Sequence, residues 1–248
     1  MNTYRSAYFM VMSILCFVLI GCEKDPNTPD NKGSKGAGKI AGHEYVDLGL
    51  PSGLKWATCN VGANSPEEYG DYFAWGETEP YYSSQDPLTW KDGKSSGYDW
   101  MSYRWCNGSN TILTKYNNNS DFGAEDNKLT LDLEDDAASA NWGGSWRMPT
   151  IVDWIELIRY CKLEGAILND VFGFKLTSLK NSNSIFFPAA GRRYDTLLRG
   201  AGYVGCYWSS SLNEDGPDDA WLVYFRYRDV SKNDSYRCYG LSIRPVTE

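Results

Sequence analysis

Histidine is almost absent from this 248-residue chain, which carries one, His43. A histidine-built metal cluster is therefore excluded. A Ser–His–Asp or Cys–His catalytic set would have to be assembled on that single ring. Basic residues are few as well. Lys and Arg number 24 against 32 Asp and Glu, for a formal charge of −8. Nucleic-acid binding, which draws on clustered Lys and Arg to displace counterions, is excluded on that balance. No two cysteines have the close CxxC spacing of a zinc site. Long apolar stretches are scarce too. The one run, Ala7 to Ile20, is interrupted only by Ser13 and is shorter than the about 20 residues a membrane span needs.

That run does carry an address. Arg5 precedes it as the positive n-region of an export signal. It ends in Leu19-Ile20-Gly21-Cys22, which resembles the bacterial lipobox, where cleavage precedes a cysteine whose thiol carries diacylglycerol. Residues 1–21 are thus expected to be a lipoprotein signal peptide and Cys22 the lipidation site, with anchoring through acyl chains. Residues 22–42 hold Pro26, Pro29, scattered glycines and mixed charges without apolar periodicity, the composition of a flexible tether. Glu23-Lys24-Asp25 resembles the charged export signals of surface lipoproteins. The expected location is the outer membrane, facing the cell surface or else the periplasm.

Residues 43–248 suffice for one sizeable domain. Ala137–Leu157 organises it. Gly143-Gly144 permits a tight turn, and Pro149 keeps Met148 extended. Thr150 with Asp153 forms a short capping signal. Ile151, Trp154, Ile155, Ile158 and Cys161 then follow at helical spacing. Glu134-Asp135-Asp136 before Ala137-Ala138-Ser139-Ala140 predicts a short helix with acids at its positive end. Tyr45–Leu50 and Leu54–Thr58 around Pro51-Ser52-Gly53 predict a hairpin. Further strands are expected at 68–75, 184–189, 205–210, 220–227 and 240–246, with irregular structure over 85–127.

Seven cysteines are present. Without Cys16 and Cys22, five remain: Cys59, Cys106, Cys161, Cys206 and Cys238. An odd number leaves at least one free thiol. Cys206 and Cys238, at expected strand ends, are the candidate disulfide pair, and Cys161 reads as a small buried hydrophobe. The Tyr194–Arg237 region is rich in tyrosine and short polar residues: Tyr194, Asp195, Tyr203, Tyr207, Asn213, Glu214, Asp215, Asp229, Asn233, Asp234 and Tyr236. Such composition gives contact area at low entropic cost and marks a candidate ligand-binding region. A second aromatic group, Trp90, Trp100 and Trp105 with Tyr98 and Tyr103, either stacks on sugar rings or anchors the irregular segment to the core. Adjacent acids such as Asp135/Asp136 and Asp218/Asp219 do not define the separation that glycoside hydrolysis needs.

Several stretches together carry a family resemblance: 45–57 (YVDLGLPSGLKWA), 73–78 (FAWGET), 134–138 (EDDAA), 144–150 (GSWRMPT), 190–192 (AGR), 207–211 (YWSSS) and 242–246 (SIRPV). The chain resembles the family named for the major paralogous domain of Fibrobacter succinogenes. That family is similar to the C-type-lectin-like fold. The resemblance implies an α+β domain: a twisted antiparallel sheet with flanking helices, long irregular loops and paired N- and C-terminal strands. Enzymes and binders share this fold. Calcium-dependent sugar binders carry Glu-Pro-Asn, whereas here Glu79-Pro80 is followed by Tyr81. The closely spaced cysteines of formylglycine-generating members and the histidines of iron-dependent members are missing. The expectation is a non-catalytic binder of a glycan or surface protein, with no cofactor and no metal. A divergent carbohydrate- or protein-modifying enzyme, or a structural envelope component, is the alternative.

Overall fold

The computed structural model describes residues 36–85 and 88–248. The signal peptide, Cys22 and most of the expected tether lie outside the described residues. In chain order the elements are β1 (Ala37–Ile40), β2 (His43–Asp47), β3 (Lys55–Ala57), β4 (Tyr82–Gln85), β5 (Leu88–Trp90), α1 (Ala137–Trp142) and α2 (Ile151–Tyr160). There follow β6 (Cys161–Leu168), β7 (Val171–Ser178), β8 (Ser184–Pro188), β9 (Arg192–Tyr194), β10 (Leu197–Arg199), β11 (Val204–Leu212), β12 (Asp219–Arg226), β13 (Asp229–Tyr236) and β14 (Val246–Thr247). The class is α+β, dominated by antiparallel sheets.

The first sheet runs β1-β2-β3-β14. Its β2–β3 hairpin is the one expected around Pro51-Ser52-Gly53, with Val46 opposite Trp56. Val246 of the last strand also pairs with Trp56, so the two ends of the described chain close one sheet. Strand β1 corrects the tether boundary. Ala37–Ile40, inside the expected 22–42 tether, pairs with 43–46 because Ala41 and Gly42 at positive φ turn the chain back on itself. His43 is therefore no longer beside a loose tail. Its ring stacks on Trp142 at 3.7 Å, and burial lowers its pKa.

Helix α2 begins as its sequence dictates. Thr150 Oγ1 accepts from the Asp153 amide at 3.2 Å while the Asp153 carboxylate accepts from the Thr150 amide at 2.8 Å, a full capping box. Trp154 and Leu157 point inward, whereas Ile155 is exposed. Cys161, expected on the helix face, is instead the first residue of β6, although its thiol is buried as expected. Helix α1 is started by Asp136, whose carboxylate accepts from Ala138 at 2.9 Å, Ser139 at 3.0 Å and Met148 at 2.7 Å. One side chain thus caps α1 and fastens it to the segment leading into α2.

Several strands, β6 and β7 the longest with β13, were not signalled. The β6–β7 hairpin turns at Asn169-Asp170, both at positive φ, which short polar residues tolerate best. Strand β11 lies between two cores. Tyr207 faces one, with Trp56, Trp154, Phe187 and Phe225. Cys206 and Trp208 face the other, with Trp75, Met148, Leu222 and Leu241. A third cluster of Tyr72, Tyr81, Tyr98, Tyr103, Cys106 and Cys238 fastens the irregular middle segment. Indole N–H groups stitch these layers together: Trp75 donates to Ser209 O and Trp208 to Phe73 O, each at 2.8 Å.

The Cys206–Cys238 pairing is corrected by this layering. Both are free thiols, in separate clusters on different segments of the core. All five described cysteines are free.

Candidate functional site

The strands β12 and β13 pair along their whole lengths, from Asp219 opposite Tyr236 to Arg226 opposite Asp229. Eight residues of strand separate these ends by about 25 Å, so the sequence-derived candidates fall into two groups. Tyr236, Asn233, Asp234, Asn213, Glu214 and Asp215 lie toward the Asp219 end, and Tyr203 and Asp229 toward the other.

Two candidates are structural. Tyr207 is fully buried, and its hydroxyl donates to Pro188 O at 2.7 Å. The alternation of β11 turns it into the core, and no ligand reaches it. Asn213 is also buried, and its amide donates to Asp234 Oδ2 at 2.8 Å, fixing the β11–β12 loop to β13.

The others keep accessible surface, and two of them, Tyr194 and Tyr236, join a feature that no single stretch announces. Trp100, Tyr236, Tyr239 and Tyr194 form a row in which successive ring centroids lie 5.8, 5.6 and 5.7 Å apart. The rings are mutually tilted by 64, 75 and 43°, so the row offers separate small faces rather than one plate. Tyr236 is 42% exposed and the other three are half-buried. Each is held by a different element. Tyr194 ends β9, whose two-residue turn to β10 puts Asp195 at positive φ and joins it to Tyr98 by paired backbone hydrogen bonds of 2.8 and 3.0 Å. Tyr236 ends β13, and Tyr239 follows after a tight turn. Trp100 arrives from the middle segment, where Asp99 Oδ1 accepts from the Ser102 amide at 2.9 Å.

Charge flanks the row. The Arg192 guanidinium stands over Tyr239 at 5.8 Å and that of Arg199 over Tyr194 at 5.9 Å. Neither arginine makes an ion pair among the described residues. Asp195 is exposed at the turn. The arrangement presents apolar ring faces with a cation and a carboxylate within reach, which suits a ligand having flat apolar faces and polar edges. Of the two readings for the middle tryptophans, Trp90 and Trp105 are anchors. Trp90 packs on Tyr82 and Tyr98, and Trp105 donates to Gly76 O at 2.7 Å. Trp100 alone reaches the row. Tyr239, Arg192 and Arg199 were missed in sequence, because only the fold brings them beside Trp100.

Two acidic clusters complete the inventory. Asp132, Glu134 and Asp135 bring carboxylate oxygens within 4.8 Å of one another. The Lys115 ammonium stands 2.9, 3.5 and 2.5 Å from them, taking the cation's place itself. Asp218, Asp219 and Asp234 form the other. Asn110 holds Asp218 and Asn213 holds Asp234, each at 2.8 Å. Burial, with Asp218 and Asp234 adding negative charge, pushes the Asp219 carboxyl up to about 7. His43 and Cys59 line one cavity of about 310 Å³, but no hydrogen bond joins them among the described residues.

No family model matches the chain, and no curated protein or solved structure matches it. Among the described residues no helix is long and apolar enough to cross a membrane.

Proposed function

We propose that this chain is a lipid-anchored cell-envelope protein whose C-type-lectin-like domain binds a glycan without catalysis, through the row Trp100–Tyr236–Tyr239–Tyr194. The observation that carries the reading is the row itself, with Arg192 and Arg199 beside it. Trp100 and Tyr239 also pack against the third cluster, and the faces that the row leaves accessible suit stacking on sugar rings. The lectin-like reading draws support from antiparallel sheets, two short helices and the closure of β14 on β3. Attachment at the outer membrane, at the cell surface, rests on Cys22 and the charged residues after it.

The test is a panel of immobilised glycans probed with the full chain and with a Tyr194→Ala/Tyr236→Ala variant. The expected result is a bound glycan whose retention falls by about tenfold or more in the variant, with circular dichroism unchanged. Failure of the unaltered chain to retain any glycan, or unchanged retention by the variant, sinks the assignment. A surface protein captured in place of every glycan would move the row to protein recognition. The anchor is tested separately by Cys22→Ala, which is expected to release the chain from membranes; continued membrane retention overturns it.

A further inference from the structure

A second surface, distinct from the aromatic row, lies at the opposite end of β12. Strands β12 and β13 are joined by the two-residue turn Tyr227-Arg228, with Arg226 opposite Asp229. Tyr227 sits at φ +48°, in the left-handed region that bulky side chains avoid and that glycine or asparagine fills at no such cost. Burial does not compensate, because Tyr227 is 70% exposed. Its near neighbour Tyr203, beside the Val204–Arg226 pair, is 77% exposed. A strained, solvent-facing tyrosine in a turn that needs no aromatic ring points toward a ligand.

The turn overhangs a groove. A cavity of about 650 Å³ between Phe172, Tyr203, Arg226 and Tyr227 adjoins one of about 490 Å³ that shares Phe172 and Tyr227 and adds Ile167 and Arg228. A third, of about 460 Å³, shares Ile167 and extends along β7 to Lys175. Each cavity is lined by one cation, Arg226, Arg228 and Lys175 in turn, and by no carboxylate, in a chain with eight more acids than bases. Lys175 lies opposite Glu164 in the β6–β7 register, which offsets its charge. Asp229 lies opposite Arg226 and Arg228 stands over the Tyr227 ring at 5.4 Å, but neither guanidinium makes an ion pair among the described residues, and both stay exposed.

We propose that this groove binds a linear carboxylated glycan, with Tyr203 and Tyr227 stacking on sugar rings and Arg226 and Arg228 pairing with ring carboxylates. The pairing of apolar ring faces with guanidinium groups sets the class. Two exposed tyrosines stand with two guanidinium groups, Arg228 over the Tyr227 ring at 5.4 Å, and a guanidinium matches a carboxylate in a two-point fork. A polyuronate repeats one carboxylate and one apolar ring face per residue. Nucleic acid, with a phosphate at every step, calls for denser positive charge than this acidic chain supplies.

The probe is an oligogalacturonate, with its methyl ester as a control of equal length and no charge. Binding to the full chain is measured by calorimetry at low and at moderate salt. The acid is expected to bind at least about tenfold more tightly than the ester, and more weakly as salt rises. Tyr227→Gly relieves the strained φ, so the variant folds, and it is expected to weaken binding by about tenfold. Arg226→Gln/Arg228→Gln is expected to abolish the preference for the acid over the ester. Tyr194→Ala/Tyr236→Ala, which alters only the row, is expected to leave oligogalacturonate binding unchanged. Equal affinity for acid and ester, no binding of either, or full affinity in the groove variants overturns the proposal. So does loss of binding in the row variant alone, which would transfer the acidic glycan to the row. Tighter binding of a single-stranded oligonucleotide than of the uronate overturns it as well.

Discussion

Tyrosine is used in two ways in this molecule, and the contrast separates what folding needs from what it does not. In the cluster beneath the middle segment, every ring is buried and its hydroxyl is committed. Tyr72 donates to Ala190 O at 2.6 Å, Tyr103 to Trp75 O at 2.7 Å, and Tyr98 to Tyr72 O. Burial pushes these phenols up, so they remain neutral donors. At the surface, Tyr203, Tyr227 and Tyr236 are 77, 70 and 42% exposed, and their hydroxyls make no hydrogen bond to protein among the described residues. Arginine divides in the same way. Arg237 is fully buried, donating to Tyr116 O at 3.0 Å, Pro217 O at 2.8 Å, Lys115 O at 2.9 Å and Tyr103 Oη at 2.9 Å. Arg226 and Arg228 are exposed and make no ion pair among the described residues, Arg228 standing over the Tyr227 ring at 5.4 Å. The buried set ties irregular backbone together where no strand or helix can. The exposed set is left over by folding, and the binding proposals rest on it.

The sharpest way to break this contrast is Arg237→Met. It strips the donors from three buried carbonyls at once, and the expected loss is roughly 3–5 kcal/mol in urea unfolding. Arg237→Lys should recover little, because one ammonium cannot reproduce the fork. A loss below about 1 kcal/mol would mean that the middle segment is held by its aromatic packing alone. Next comes Tyr98→Phe, which deletes the donor to Tyr72 O and the acceptor of the Tyr81 amide. About 1–3 kcal/mol is expected, against less than about 0.5 kcal/mol for Tyr236→Phe. Equal costs at the two positions would erase the distinction.

A smaller effect is readable through pH. Asp219 holds its proton up to about 7 in the folded chain and to 3.8 when unfolded. Over that interval the folded state binds more protons, so this residue's contribution to stability is complete below about pH 4 and is lost as pH rises to about 7. Asp219→Asn should flatten the fall and raise stability at pH 8 by about 1 kcal/mol, a figure kept low because solvent reaches the carboxyl. Unfolding midpoints between pH 4 and 8 check it; an unchanged slope would place the proton elsewhere in the Asp218–Asp219–Asp234 cluster.

What the sequence made legible follows from how local each signal is. The capping pair Thr150/Asp153, the acid before α1 and the Pro51-Ser52-Gly53 hairpin were all readable, because each is settled within a few residues. Strands β8, β11 and β12 were readable from their apolar content. Strands β6 and β7 were not, because the helical spacing of Ile151 to Ile158 runs on through Cys161 and hides the helix end. Strand β13, DVSKNDSY, is polar throughout and is a strand only because β12 pairs with it. The candidate site divides likewise. Tyr194, Asp195 and Tyr236 were found by composition, but composition could not tell the buried Tyr207 from them. Nor could it show that Trp100 and Tyr239 complete their row, a juxtaposition that exists only once the third cluster has folded.

The smallest expected effect bears on the cysteines, and a null result there is the informative one. Cys161, Cys206 and Cys238 fall in three separate clusters, with Cys106 beside Cys238, while Cys59 is half-buried. Burial pushes the Cys161 thiol up to about 11 and that of Cys206 up to about 12, so neither offers thiolate near neutrality. A reductant should therefore shift the unfolding midpoint by less than about 0.5 kcal/mol, and thiol titration of the native domain should proceed slowly, with Cys59 first. A shift of disulfide size, about 2–4 kcal/mol, would show a bridge, and peptide mapping would tell Cys106–Cys238, within one cluster, from the Cys206–Cys238 pair. The Cys206–Cys238 pair would disturb more than a bond. Cys206 shares its strand face with Trp208, whose indole holds Phe73 O, so drawing it toward Cys238 would pull β11 out from between two cores. The alternation of one strand turns Tyr207 into one core, away from a ligand, and Cys206 into the other, away from the cluster that holds Cys238.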